Sequence, residues 1–382
     1  MATGIVSTFV PLYMIDALHA PNPLIALLNS IPALTGLAAS LLGAFWVPRL
    51  WSLRRFSALN FLFARLTYIL LAAVPLFGGS ATSLLVVWVN AASNVPQTLG
   101  LLGWQGLMGK LIPSAMRENF FSRRNSLAMI VGLGGTIITG AVLQFFNPQH
   151  LLPFQTFFVL AAGLGGLEVW YLLRHREPVS GDSPPALKWQ AWARLWKDAR
   201  FRRYVVLSAL FNFTWQMSWP LFSIYQIETA HATGLWIGLF TIATQATEIV
   251  TFRWWGTLAR RHGGLATMGL SGLGMSIVPI LTVMNPNLVY LVGVNLYSGL
   301  FASGMTLLLF TELLHAAPIR ERSGAIVFYN VVLGGVAFLA PEVGVYLLPV
   351  LGMKSTMLLS TVGRVVTSTL FLLPLKNLRQ RF

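Results

Sequence analysis

Twelve apolar runs, each near the roughly 20 residues that carry a helix across a bilayer, decide what this chain can become. They occupy 1–18, 24–47, 56–77, 82–108, 124–146 and 151–173, then 204–227, 234–258, 264–284, 287–314, 323–349 and 353–375. Of the 382 residues, 55% are hydrophobic and only 10% are charged, too few to clothe a water-soluble core. The reading is an all-α membrane protein of twelve transmembrane helices. The first run is short and opens at Met1 without a polar lead, which points to a chain truncated at its N-terminus.

The basic residues test that count. A net charge of +15 raises nucleic acid as a partner, but the charges sit in short gaps between apolar runs, so none is expected. Taking the even-numbered gaps and the C-terminal tail as one side, that side holds 23 of the 26 Lys and Arg. The opposite side has Lys354, while Arg65 and Arg364 fall inside spans. A wrong span count would scatter these charges. The asymmetry places both termini in the cytoplasm and the chain in the cytoplasmic (inner) membrane.

The longest gap, 174–203, holds eight Lys or Arg and three Asp or Glu. It divides the chain into 1–173 and 204–382, each with six runs. Its first part is rich in Pro, Gly and Ser, which keep a segment from packing. Its second part, from Ala186, reads as a basic amphipathic helix with Trp189, Trp192 and Trp196 along one stripe. Such a helix is expected to rest on the headgroup surface of the bilayer.

The halves repeat. Residues 111–126 precede the fifth run and 315–330 the eleventh, each with a Pro followed by Arg-Glu and then an Asn: Pro113, Arg117, Glu118 and Asn125 against Pro318, Arg320, Glu321 and Asn330. A second echo joins Gly43, Arg49, Arg54 and Arg55 after the second run to Gly256, Arg260 and Arg261 after the eighth. Parallel six-span repeats on either side of a basic cytoplasmic loop belong to one transporter architecture.

At these residues the chain resembles the major facilitator superfamily over essentially its whole length. Departures from the family's pattern are specific. Pro48 and Arg260 stand where the loop motif has its acid, and the antiporter motif near span four is matched only by Gln105 and Gly106, with Leu102 in place of its Arg. The span-five Gly-Pro signature is missing, although Gly132, Gly134, Gly135 and Gly140 keep that helix small-faced. The resemblance implies two pseudo-symmetric six-helix bundles, 1–173 and 204–382, working by alternating access. It also implies a cavity lined by spans one, two, four, five, seven, eight, ten and eleven. Arg49, Arg54, Arg55, Arg260 and Arg261 are its implied gating residues. The repeated Arg117-Glu118 and Arg320-Glu321 pairs are read as contacts that close the inner gate.

Three spans carry polar and aromatic side chains at helical spacing, which places each set on one face. They are Asn90, Asn94, Gln97 and Trp104 in span four; Asn212, Trp215, Gln216, Trp219 and Ser223 in span seven; and Thr241, Thr244, Gln245, Glu248 and Thr251 in span eight. In lipid such faces turn inward, to a partner helix or a wet cavity. Interhelical hydrogen bonding, at about 0.6–2 kcal/mol per contact, competes with a substrate role at each position. Asn90, Asn94, Gln97, Trp104, Trp215, Gln216, Trp219, Thr244 and Gln245 are the candidate substrate contacts. Trp215 and Trp219 lie too deep for an interfacial belt on the cytoplasmic side.

Ionisable residues within spans are costly and therefore informative. Glu168 and Arg65 are close enough to the cytoplasmic ends of their spans to snorkel outward, and Glu342 and Arg364 sit on adjacent spans where they could pair. Glu248 lies about 15 Å inside its span at 1.5 Å per residue, continuous with the Thr and Gln face. It is the candidate proton-coupling carboxylate, with a static bond to Arg65, Arg364 or an amide as its competitor.

Enzyme chemistry finds no footing. The six His show no metal-ligand spacing, cysteine is absent, and neither a P-loop nor a dinucleotide turn is present, so no metal and no cofactor are expected. Gly134-Gly135 and Gly334-Gly335 read as helix-packing glycines. The chain is thus expected to be a monomeric secondary transporter driving proton-coupled efflux of a small, partly apolar molecule across the bilayer. An uptake or facilitated-diffusion carrier, or a non-transporting sensor or assembly protein of the same fold, is the alternative.

Overall fold

The computed structural model describes residues 2–46, 52–77, 81–112, 114–146, 150–175, 190–318 and 322–372. They are helical almost throughout, with no strand among them. In order the helices are α1 (Ala2–Leu12), α2 (Asn22–Trp46), α3 (Leu53–Ala73), α4 (Thr82–Leu111), α5 (Ser114–Leu143), α6 (Leu151–Leu173) and α7 (Gln190–Lys197). There follow α8 (Ala199–Gln216), α9 (Trp219–Ile224), α10 (Gly234–His262), α11 (Gly264–Ser276), α12 (Val278–Met284), α13 (Leu288–Ala316) and α14 (Arg322–Leu372). Among the described residues every apolar run is mainly helical, and seven helical segments are long and apolar enough to cross a membrane. The helices that fall short include α4 and α8, which carry the polar stripes or a basic start.

The chain forms two compact units. One comprises Met1–Leu187 with His231–Leu239, the other Lys188–Ala230 with Phe240–Phe382. In the first, α3 packs on α4 and α6, α2 on α4, and α1 on α5 and α6. Leu53, Phe61, Leu107, Met108, Val169 and Leu172 make a core. The outward face of α3 is apolar instead of polar: Leu59, Leu62, Phe63, Leu66 and Leu70 are all exposed. That is the pattern of a helix solvated by hydrocarbon.

In the second unit α14 packs on α8 and α11, and α11 on α13. Its core gathers Phe201, Tyr204, Phe211, Met268, Met305, Leu308 and Tyr329. In two runs that read as single spans the helical hydrogen bonding is interrupted, although Met217, Ser218 and Ile277 between the pieces keep right-handed backbone angles. The seventh stops at Gln216 and resumes at Trp219, with Pro220 in the new first turn; the ninth stops at Ser276 and resumes at Val278, with Pro279 likewise placed. The eleventh and twelfth runs form two helical arms of α14 that meet at a non-helical turn at Gly352, whose φ of 76° only glycine adopts readily.

The amphipathic helix also has a partner within the protein. It is α7: Leu195 is fully buried, and Trp192 and Trp196 pack on Phe328 of α14 at 5.4 and 5.7 Å between ring centroids, while Trp196 stays 42% exposed. Trp189 lies outside the described residues.

A further repeat joins the halves. Tyr13, Ile15, Asp16, His19 and Ala20 correspond to Tyr225, Ile227, Glu228, His231 and Ala232. Both segments form a π turn, Tyr13–Ala17 and Tyr225–Thr229, and both histidines then take left-handed backbone, φ 50° and 52°. The same sequence fragment thus makes the same strained helix end twice.

Candidate functional site

In the first unit the side chains that matter converge on Arg65. It is only 4% exposed although it carries a charge. Its Nε and Nη2 donate to Glu168 Oε2 at 3.3 and 2.8 Å, and its Nη1 donates to Tyr68 Oη and Gln97 Oε1, both at 3.0 Å. Neither Arg65 nor Glu168 snorkels alone to the interface; α3 and α6 are tied by the pair. Gly165 makes this possible, because a Cβ there would lie 2.3 Å from the Arg65 stem. The network borders a cavity of about 440 Å³, whose wall also includes Phe61, Trp104 and Arg124. The Arg124 guanidinium lies over the Trp104 ring, 4.5 Å from its centroid.

The span-four stripe is therefore divided among partners. Asn94 donates its amide to the Pro32 carbonyl on α2, where Thr35 also donates to the Ala91 carbonyl at 3.0 Å. Gln97 turns to Arg65 and Trp104 to Arg124, while the half-buried Asn90 side chain makes no hydrogen bond among the described residues. These contacts bind helices to one another and explain why so polar a stripe is tolerated.

In the second unit the break in span seven gives the aromatic-polar set its shape. Trp215 ends α8 and Trp219 begins α9, with rings 5.9 Å apart and nearly perpendicular at 87°. Trp215 packs on the core beside Phe211, whereas Trp219 is 42% exposed. Gln216 is 7% exposed; it donates to Asn212 Oδ1 at 3.3 Å, and its own Oε1 has no hydrogen-bond partner. Arg364 does not pair with Glu342. Its fully buried guanidinium instead donates to backbone carbonyls of α8 and α11, because a helix end offers acceptors that reach it without a second buried charge.

The span-eight stripe splits by direction. Thr244 Oγ1 donates to the Asn295 carbonyl at 3.3 Å and to Asn295 Oδ1 at 3.2 Å, and Thr251 shares a 2.7 Å bond with Ser303, so both hold α10 against α13. Gln245 and Glu248 sit beside them, half-buried, and neither side chain makes a hydrogen bond or ion pair among the described residues. Glu248 is the midpoint of the 29-residue α10. It is thus deeper than the sequence ruler gave, about 21 Å from either end at 1.5 Å per residue. Arg364 of the same unit does not bond to it, since its guanidinium is engaged elsewhere.

The loop residues are only partly described. Arg54 Nη1 donates to the carbonyls of His175 and Leu173, at 2.7 and 3.4 Å, and so tethers the start of α3 to the end of α6. Arg260 bonds Thr257 Oγ1 at 3.1 Å, and Arg55 and Arg261 are exposed. Arg49, Arg320 and Glu321 lie outside the described residues, as do the side chains of Arg117 and Glu118. Of the packing glycines, Gly134 and Gly335 have nothing within 4 Å of a Cβ, while Gly140 meets the Gly234 carbonyl at 2.7 Å.

Sequence reasoning missed Tyr68, the Arg65–Glu168 bond and the bonding role of Arg364. It also missed the Tyr-x-Ile-acid-x-x-His repeat, which self-comparison of the halves would have found.

Known structures share this arrangement of helices. A point mutant of the nucleoside transporter NupG superposes with a TM-score of 0.79 at 16% identity, covering 97% of this chain and 95% of that one. Another NupG structure gives 0.77 at 14% identity, with 97% and 94% covered. A POT family transporter in complex with a thioalcohol-conjugated peptide gives 0.72 at 13% identity, with 97% and 92% covered. No curated protein matches the sequence. With residues 1–341 matching the Major Facilitator Superfamily, and seven apolar helices able to span a bilayer, this chain is a multi-pass membrane protein belonging to that superfamily.

Proposed function

We propose that the protein is a twelve-span secondary transporter that exports a small, partly apolar molecule by alternating access of two six-helix bundles, driven by protons taken up at Glu248. Residues 1–173 form the first bundle, 174–203 the linker and 204–382 the second in this reading. The observation that carries it is the Glu248 carboxylate, at the middle of α10 and without a partner among the described residues, while the neighbouring Thr244 and Thr251 are committed to α13. A static structural acid would be bonded, because an unpaired charge at that depth is expensive. A carboxylate that binds and releases a proton has to be left accessible. Export suits a substrate that partitions into the membrane, and the exposed Trp219 face offers stacking and cation attraction to such a molecule.

Nucleosides and peptides, named for the similar structures, join aromatic cations as the first compounds to test. Protein in liposomes is given a pH gradient, and flux of uridine, a dipeptide and ethidium is followed. Glu248→Gln, which mimics the protonated acid, is expected to abolish gradient-driven net flux of whichever compound moves while sparing exchange. Undiminished proton-driven flux in that variant would remove Glu248 from the mechanism. A compound that binds the wild-type protein and is never moved would argue for a sensor.

A further inference from the structure

Arg364 makes more backbone contacts than any role in charge pairing requires. From the twelfth run its Nη1 donates to the Met275 carbonyl at 3.2 Å, its Nη2 to the Trp215 carbonyl at 3.2 Å and to Ser218 Oγ, and its Nε to the Thr214 carbonyl at 3.5 Å. Ser360, one turn earlier, donates to that same Thr214 carbonyl at 2.6 Å. Thr214 and Trp215 lie in the last turn of α8, and Met275 in the last turn of α11. A helix end leaves such carbonyls without intrahelical donors. Pro279, four residues after Met275, has no N–H to supply one, so apart from Arg364 only the N–H of Ile277, two residues on, faces that carbonyl.

Two half-helices therefore end on one guanidinium. Each end carries a partial negative charge from the aligned peptides, which favours a cation there. This accounts for a fully buried arginine with no carboxylate among its partners. Broken spans satisfy their freed carbonyls with neighbouring side chains, water or bound ions; here an arginine side chain does it. α14 approaches the break so closely that a Cβ on Gly344 would lie 2.0 Å from the Met217 carbonyl oxygen, and one on Gly363 2.4 Å from Thr214 Cγ2.

We infer that Arg364 is a positioning residue for transport: by clamping the ends of α8 and α11 it keeps spans seven and nine broken and fixes the step that presents Trp215 and Trp219. The clamp itself rests on the geometry above; its service to binding rests on the proposed substrate role of the two tryptophans. Lysine keeps the charge but has a point-like ammonium without the fork that serves three carbonyls and a hydroxyl at once.

The test is hydrogen exchange in detergent, resolved by peptide, on wild type, Arg364→Gln, Arg364→Lys and the milder Ser360→Ala. Loss of the clamp is expected to speed exchange tenfold or more at 217–222 and at 277–282 while leaving 300–309 of the same unit unchanged. Arg364→Lys should recover only part of that protection, and Ser360→Ala should loosen 217–222 alone. A rise spread evenly over the unit, or no rise in a folded variant, overturns the clamp; if Arg364→Gln does not fold, Arg364→Lys and Ser360→Ala decide in the same terms. Ethidium affinity, read by its fluorescence, tests the link to binding: Arg364→Lys should weaken it at least twofold, as is expected of Trp219→Ala. Trp219→Ala with unchanged affinity sinks the substrate reading of the tryptophans, and the exchange pattern still judges the clamp.

Discussion

Adjacent glycines on α6 isolate the path by which Arg65 reaches Glu168. A Cβ on Gly165 would lie 2.3 Å from Cγ and Cδ of Arg65 and 2.8 Å from its Nε, whereas at Gly166 nothing comes within 4 Å. Non-bonded carbons settle at about 3.5–4.0 Å, so a methyl at 165 drives the arginine stem back by more than about 1 Å. The two bonds to Glu168, at 2.8 and 3.3 Å, then stretch out of range. A hydrogen bond to a charged group contributes about 1.5–3 kcal/mol, and the 46% exposure of Glu168 favours the lower end because solvent screens the pair. Against this, alanine gains about 0.5–1 kcal/mol over glycine within a helix.

Gly165→Ala is thus expected to destabilise the protein by about 1–2 kcal/mol, and Gly166→Ala to stabilise it by up to about 1 kcal/mol. The gap amounts to several degrees in apparent Tm. Thermal unfolding of both variants in one detergent, followed by the intrinsic fluorescence of the 13 tryptophans, measures it. In a Glu168→Gln background the cost at position 165 should shrink, since the contact it blocks is already weakened. Equal stability of the two alanine variants, or a full cost at 165 in that background, would refute the reasoning.

Two other outcomes are expected. Trp219→Ala should weaken ethidium binding by a factor corresponding to about 0.5–2 kcal/mol with little change in Tm, while Trp215→Ala, packed on the core, should lower affinity and Tm together; affinity untouched in both makes them packing residues. Phe328→Ala removes the ring that meets Trp192, Trp196 and Phe201, so α7 should loosen and trypsin should cut after Arg194 or Lys197 several times faster, with wild-type rates refuting the docking.

The sequence by itself settled where helices run, because a bilayer demands long apolar stretches and admits few charges between them. Among the described residues every run is mainly helical, with a turn at Gly352 between the last two. The breaks in spans seven and nine were not visible in the same way. Prolines sit inside several runs, and Pro32, Pro96, Pro341 and Pro349 leave α2, α4 and α14 continuous, whereas helices end just before Pro220 and Pro279. A proline removes a donor and crowds the carbonyl four residues before it; whether the helix parts depends also on what else can reach the freed carbonyls. At span seven that is Arg364, 149 residues from Trp215 in the chain. The Arg65–Glu168 pair is likewise 103 residues apart, and both acid and base had passed for separate snorkelling groups. Composition and periodicity report one helix at a time, since each helix satisfies its own backbone wherever it is placed. Which buried charge meets which acceptor is fixed only when helices distant in the chain lie side by side, and that was decided by the tertiary structure.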